Sequence, residues 1–544
     1  MKWWQESVVY QIYPRSFKDS NHDGIGDLQG IISKLDYLTY LGVDMIWLCP
    51  VYESPNEDNG YDISNYFNVM SDFGTLEDME ELIQKAEKRG IGIIMDIVAN
   101  HSSKEHAWFK EAIRAKENPY HNYYVFEENT GELPSDLQSI FLGSAWELNP
   151  LTNEYYLHMF AKGQPDLNWD YEPVRKEIYR ILNWWMDKGI KGFRFDVIDM
   201  ISKDLKNHQI ANGPKLHDYI TEMNRESYGA RNVLTVGETW GATIEKALKY
   251  SNLDGSEFSM IFNFSHILLD QAKGKEKWDF IDLELSKLKK VFKEQQVELH
   301  NKGWNSLFWN NHDLPRIVSR WGNDKEYRVE SAKMLATLLH FMQGTPYIYQ
   351  GEELGMTNVV FDDIKDYRDI ETFNMIDQRL KKGISMESIL KSIYKIGRDN
   401  ARTPYPWNAQ KHAGFSEAEP WLKVNPNYLE INQESQLGQN DSVLEYYRRL
   451  IQFRRKSEYK TIIREGTFEL LYEKHPDIFA YKRSFDGYGL TVLCNFFGKS
   501  IQLKEEIQHK KMLISNYKDI NDRHGLVLRP YEALVLFGRE EVVL

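Results

Sequence analysis

Ionisable and polar groups recur in this chain at one kind of place, the end of a short apolar run. Asp96 and His101 follow Ile93-Ile94-Met95, and Arg194 and Asp196 lie in Gly192-Phe193-Arg194-Phe195-Asp196-Val197. Glu238 follows Leu234-Thr235-Val236-Gly237, and His312 and Asp313 follow Phe308-Trp309-Asn310-Asn311. In an extended chain residues i and i+2 share a side, so Arg194 and Asp196 project together. Such a set suits cleavage of a glycosidic bond. A carboxylate beside an arginine is held ionised and can attack an anomeric carbon. A second carboxyl, kept protonated by a drier setting, can protonate the leaving oxygen. Histidines can donate to sugar hydroxyls, and a third carboxylate can oppose the charge of an oxocarbenium-like transition state. Any one of these acids alone reads equally well as a solvated loop residue or a helix cap. Their recurrence at four run ends is what points to a site.

The runs that must position them are β-rich and regularly spaced: residues 8–12, 45–48, 91–98, 192–197, 233–237, 260–264, 306–309 and 346–349. Amphipathic stretches lie between them, among them Ile31, Leu35, Leu38 and Leu41; Met79, Leu82, Ile83 and Ala86; Ile178, Ile181, Leu182, Trp185 and Met186; and Met334, Leu335, Leu338 and Leu339. Eight such strands alternating with helices predict an α/β fold, a (β/α)8 TIM barrel whose reactive groups sit at the C-terminal strand ends. The barrel would begin at 1–100 and resume over 171–465. Residues 101–170 are polar, aromatic and irregular, and predict a domain inserted after strand 3. A charged, Pro- and Trp-containing stretch at about 356–428 predicts a subdomain on the rim. Short strands with turn residues between them make 466–544 a C-terminal antiparallel β-sandwich domain.

Composition excludes several partner classes. Acids outnumber bases 81 to 67, a net charge of -14, which disfavours nucleic acid and anionic membranes. No apolar run approaches the roughly 18 residues of a membrane span, and the N-terminus lacks an apolar signal region. The two cysteines, Cys49 and Cys494, make no disulfide framework and suit reduced thiols in a cytoplasmic protein, expected to be a monomer acting on a small oligosaccharide.

The strand-end motifs resemble the signature regions of glycoside hydrolase family 13, the α-amylase family. They are Asp96-Ile97-Val98-Ala99-Asn100-His101, Gly192-Phe193-Arg194-Phe195-Asp196, Gly237-Glu238-Thr239 and Asn311-His312-Asp313, in the family's order. Gln164-Pro165-Asp166-Leu167-Asn168-Trp169 is similar to the extra signature of its oligo-1,6-glucosidase branch, as are residues 9–17 and Asn59-Gly60-Tyr61-Asp62-Ile63. The resemblance implies Asp196 as nucleophile, Glu238 as general acid/base and Asp313 as the transition-state carboxylate. It implies that Asp58, Tyr61, His101, Arg194, His312 and Arg398 hold the non-reducing glucose, with Gln164 among the contacts. It also implies retention, and hence Asp196 and Glu238 carboxyls about 5–5.5 Å apart. One departure is Tyr405-Pro406 before Trp407, where the branch usually has Met-Gln, which leaves the backbone there open.

Val197, next to the implied nucleophile, goes with α-1,6 linkages in this branch; by its type alone it reads as an ordinary β-branched strand residue. Residues 236–243 and 212–217 are similar to members that cleave dextran-type substrates, and Trp240 would stack on the leaving sugar. The expected activity is release of glucose from isomaltooligosaccharides, panose or short dextrans. Trehalose-6-phosphate hydrolysis on the same scaffold is the alternative. A noncatalytic, transporter-associated relative would need a membrane segment and could lose the carboxylates, all three of which are kept.

Residues 19–27, Asp19-Ser20-Asn21-His22-Asp23-Gly24-Ile25-Gly26-Asp27, place oxygen ligands as in an EF-hand-like loop: Asp19, Asn21, Asp23, the Ile25 carbonyl and Asp27. Gly30 stands at position 12, so the motif is incomplete and also reads as an Asx-Gly turn. The resemblance adds an expected structural Ca2+ there; nothing suggests a catalytic cofactor.

Overall fold

The computed structural model describes residues 2–503, 511–519 and 526–539. Eight parallel strands form the barrel: β1 Val9–Ile12, β2 Met45–Leu48, β3 Gly92–Val98, β4 Gly192–Asp196, β5 Leu234–Thr239, β6 Met260–Asn263, β7 Ser306–Leu307 and β8 Thr345–Tyr349. Their order is β6-β5-β4-β3-β2-β1-β8-β7, and a parallel bridge from Ile261 to Asn305, just ahead of β7, closes the ring. The strands are buried on both faces, which is why they read as continuous apolar runs instead of alternating ones. Helices cover the outside. Leu76–Glu87, for example, is capped by Thr75 in a capping box and buries Met79, Leu82, Ile83 and Ala86.

Local differences from the expected elements have identifiable causes. The predicted helix through Ile31 and Leu41 is broken at Lys34 into Leu28–Ser33 and Leu35–Leu41. β5 runs to Thr239, so Glu238 lies within the strand. β4 stops at Asp196, because Val197 turns to φ 36° and ψ 45°.

The inserted segment carries a three-stranded antiparallel sheet, Phe126–Glu128, Glu154–Leu157 and Trp146–Asn149 in spatial order. It packs Trp146, Leu157 and Met159 against Val197 and Met200 at the end of β4. The rim segment holds helices Ile370–Lys381 and Met386–Ile396 around a core of its own, with Phe361, Met375, Ile389, Ile393 and Leu422.

The C-terminal region has one five-stranded antiparallel sheet, Thr467–Leu471, Ile478–Phe485, Tyr488–Asn495, Ala533–Arg539 and Lys511–Ser515 in that order. One face joins the main core through Phe479, Tyr481, Leu490 and Val492. The other packs Ile478, Leu493 and Leu534 against Leu528, which belongs to a two-stranded ladder, Ile501–Gln502 with Val527–Leu528, and Leu526 just ahead of it. The second layer of the expected sandwich is thus only this ladder among the described residues; 504–510, 520–525 and 540–544 lie outside them. Among the described residues no helix is long and apolar enough to cross a membrane.

Candidate active site

Strand register brings the acids together. Asp96 on β3 pairs with Arg194 on β4, and Val98 with Asp196; across the other edge Arg194 pairs with Val236 on β5. Glu238, two residues past Val236, therefore stands level with Asp196, two past Arg194. Arg194 is 1% exposed and serves all three acids. Its Nη1 donates to Asp96 Oδ1 at 2.8 Å and Asp196 Oδ1 at 2.7 Å, and its Nη2 donates to Glu238 Oε2. Burial pushes the Asp196 carboxyl up against the pull of Arg194, and the Glu238 and Asp96 charges add to the push. One guanidinium facing three buried carboxyls leaves the cluster short of positive charge, which disfavours the charged forms of Asp96 and Asp196.

Glu238 is held from three sides. Beside Arg194, the main-chain N–H of Val197 donates to Oε2 at 3.1 Å. The indole Nε1 of Trp240 donates to Oε1, also at 3.1 Å. Val197 makes its bond from the left-handed region, where a β-branched residue is a true outlier, so it is not the ordinary strand residue its type suggests.

Asp313 has a different setting. Its Oδ1 accepts from Arg402 Nη2 at 2.8 Å and Arg398 Nη1 at 3.3 Å, and Oδ2 lies 3.0 Å from His312 Nε2. Burial alone would raise this carboxyl, but His312 and the two arginines hold it well below the usual range. Burial likewise opposes a charge on His312; Asp313 and Cys49 outweigh it and bring the imidazole up to about 10. Tyr61 stacks on the His312 ring at 5.2 Å and donates to Asp96 Oδ2 at 3.0 Å.

The inserted segment supplies Gln164, whose Nε2 donates to Asp58 Oδ2 at 3.1 Å and lies 3.2 Å from His101 Nε2. Burial brings His101 down to about 4, so it is neutral. Burial raises Asp58 to about 7 in spite of Arg398 and Arg402; Arg398 Nη2 is 3.5 Å from Asp58 Oδ1.

Two site residues were not legible as such. Asp369 is fully buried and accepts from Arg398 Nε at 3.1 Å, and Arg402 bonds Asp313. Burial works against Asp369, but Arg398 and Arg402 hold it down to about 2. In sequence Asp369 reads as the N-cap of the helix Ile370–Lys381, which it also is. Arg402 stands one helical turn after Arg398 in Gly397-Arg398-Asp399-Asn400-Ala401-Arg402-Thr403-Pro404, and that spacing was the available signal.

These groups surround a cavity of about 590 Å3 lined by Asp58, Tyr61, His101, Asp196, Val197, Glu238, Trp240, Asp313 and Arg398. Arg194, His312 and Gln164 stand behind that lining. An outer wall is apolar, with Ile140, Phe141, Met200, Ile210 and Leu268. An open cavity of about 700 Å3 at the opposite end of the barrel, lined by Asp44, Gly92, Lys191 and Arg455, holds none of the strand-end acids. Several of its charges are paired, among them Lys191 with Glu87 and Arg455 with Asp44.

A family model for the alpha amylase catalytic domain matches residues 11–466. The chain belongs to the α-amylase family. It is 50% identical to the oligo-1,6-glucosidase of Bacillus cereus, covering 98% of this chain and 99% of that one. It is 51% identical to the glucan 1,6-alpha-glucosidase of Streptococcus pneumoniae serotype 4, covering 98% of each. The crystal structure of Bacillus licheniformis trehalose-6-phosphate hydrolase in complex with PNG superposes with a TM-score of 0.94 at 45% identity, covering 99% of this chain and all of that one. As an α-amylase family member the chain is a glycoside hydrolase, and the strand-end acids are the groups on which such chemistry can be built.

The ion-loop residues of this family member lie apart from the cavity, between β1 and the helix Leu28–Ser33. Asp19 accepts from the N–H groups of Asn21, His22 and Gly24, at 3.0, 2.8 and 2.9 Å. Asp27 accepts from Ser20 and Gly30. Among the described residues no three His, Cys, Asp or Glu side chains converge as a metal set. Gly30 is there for space: a Cβ would sit 1.9 Å from the Lys18 carbonyl oxygen, so position 12 has no room for a glutamate.

Proposed function

We propose that the chain is a retaining, exo-acting α-1,6-glucosidase that releases glucose from the non-reducing end of isomaltooligosaccharides, panose or short dextrans. Asp196, whose charged form Arg194 favours against its burial, attacks C1 while Glu238 gives its proton to the leaving oxygen. Water then adds to C1 of the glucosyl ester as Glu238 takes its proton, and the α configuration is restored. Asp313, ionised by His312, Arg398 and Arg402, opposes the positive charge at C1 in both steps. The single observation that carries this reading is the sharing of Arg194 by Asp196 and Glu238. It keeps both carboxyls on one guanidinium, at the same level of the barrel and at the floor of one cavity.

Cavity charge favours a neutral sugar over trehalose 6-phosphate. Eight lining residues are acidic and three cationic. The cations are engaged: Lys277 with Glu371, Arg320 with Asp270 and Arg398 with Asp369. A phosphate dianion would meet net repulsion there. Val197 and the names of the two curated relatives support the α-1,6 linkage. The test is isomaltotriose, maltose and trehalose 6-phosphate assayed side by side, with isomaltotriose expected to give the highest kcat/KM. Preference for the phosphate overturns the substrate, and a β-glucose first product by NMR overturns the retaining mechanism.

We also propose a structural Ca2+ in the loop of Asp19, Asn21, Asp23, Ile25 and Asp27. Burial opposes a charge on Asp19, but Ser416 and the loop N–H groups lower its carboxyl and favour the anion a cation needs. The ligand set would be mixed, with the Asn21 amide turned from its bond to Asp23. A cytoplasmic location is supported by the two free, buried thiols.

A further inference from the structure

Trp240 does two things with one ring. Its plane lies on Phe264 with centroids 4.0 Å apart and 15° between planes, and at 38% exposure it lines the cavity mouth. At the same time its Nε1 donates to Glu238 Oε1 at 3.1 Å. The other oxygen, Oε2, is already occupied by Arg194 and Val197, so Oε1 is the oxygen that carries the transferable proton. We propose that Trp240 is a positioning residue for Glu238, aiming Oε1 and favouring its anionic form, and is not a leaving-group platform alone. The inference rests on Glu238 being the acid/base.

An indole N–H is a donor only, so its bond strengthens as Oε1 loses its proton. It therefore favours the carboxylate that must accept a proton from water in the second step. The stack on Phe264 fixes the ring and hence the donor direction. The charged groups facing Glu238 are Arg194 and Asp196 from β4, Asp96 from β3 and Asp199 from the turn after β4. Asp199 accepts from the main-chain N–H groups of Trp240 and Gly241, which side-chain variants at Trp240 keep.

Two variants separate the roles. Trp240→Phe keeps a ring and removes the donor; Trp240→Gln keeps a donor and removes the ring. With Trp240→Phe, the basic limb of the kcat/KM profile on isomaltose should move up by about half to one pH unit. Its rate should fall more on isomaltose than on p-nitrophenyl α-glucoside, whose leaving group needs little protonation. Trp240→Gln should keep the wild-type limb while raising KM for isomaltotriose. A Trp240→Phe profile that overlays the wild type at every pH overturns the proposal; if the Phe variant does not fold, Trp240→Leu, which also lacks the donor, decides in the same way. Azide rescue of Glu238→Ala on the aryl glucoside tests the acid/base role separately. Without rescue that reading fails; with rescue and an unmoved Trp240→Phe limb, only the present inference fails.

Discussion

Val197 donates its main-chain N–H to Glu238 Oε2 at 3.1 Å while its own backbone sits at φ 36° and ψ 45°. The peptide that follows Asp196 is thereby turned toward Glu238, so the two acids are linked through one strained residue. The left-handed backbone costs an L-residue about 1–2 kcal/mol. It persists here because the Val197 side chain packs with Leu157, Met159 and Met200, which fits the clustering of such strain at functional sites.

That strain is measurable. Val197→Ala and Val197→Gly both lose the apolar contact, but only glycine also loses the left-handed penalty. The glycine variant should be more stable than the alanine variant by about 1 kcal/mol in denaturant unfolding, the reverse of their order in an ordinary strand. Alanine equal to or above glycine would show that the turn is unstrained.

Asp196→Ala removes the proposed attacking group, and Glu238→Gln keeps the shape of the proposed acid/base without its proton. Turnover of isomaltose should fall by about 10²–10⁴-fold in Glu238→Gln and at least as far in Asp196→Ala. Near-native steady-state turnover in either variant would remove the role assigned to that residue.

Asp369 is fully buried against Arg398 and Arg402. Its folded pKa, about 2, lies below the ordinary value near 3.9. Its contribution to stability is therefore present above about pH 4 and lost as pH falls toward 2. Asp369→Asn should lower stability at pH 7 by about 3–5 kcal/mol and flatten the loss below pH 4, as read from unfolding midpoints across pH. An unchanged acid limb would mean that another carboxylate dominates it.

Chelation should lower the melting temperature without abolishing activity if the loop of residues 19–27 holds Ca2+. Added Ca2+ should restore the wild type and leave Asp23→Ala unchanged. A melting curve indifferent to both chelator and Ca2+ would leave the loop as a chain of Asx turns, which its internal hydrogen bonds already make it.

The barrel was legible because burial on both faces writes each strand as a continuous apolar run; all eight runs are strands. The meeting of Asp96, Arg194, Asp196 and Glu238 followed from strand ends and a period of two. Val197 was not legible as a turn, since nothing in its type announces a positive φ. Asp369 was hidden because a helix cap and an arginine's counter-ion have the same sequence appearance. The strand Lys511–Ser515 is hard to read from sequence because it is a partly exposed edge strand beginning in basic residues. Tyr405 departs from the branch pattern, yet it is tied down: its hydroxyl joins those of Tyr10 and Tyr37 on Glu353 Oε1, at 2.7, 2.7 and 2.8 Å.

The arginines that keep Asp313 ionised both come from the rim segment, as does Asp369 that holds Arg398, whereas Asp313 follows a barrel strand. The rim is therefore an exchangeable cassette only under one condition. A graft that alters substrate choice by swapping rims between relatives must carry Asp369, Arg398 and Arg402 as a single unit. A hybrid that splits this trio across the junction would inherit a barrel with a weakened Asp313, and its failure would be misread as a failure of the new specificity.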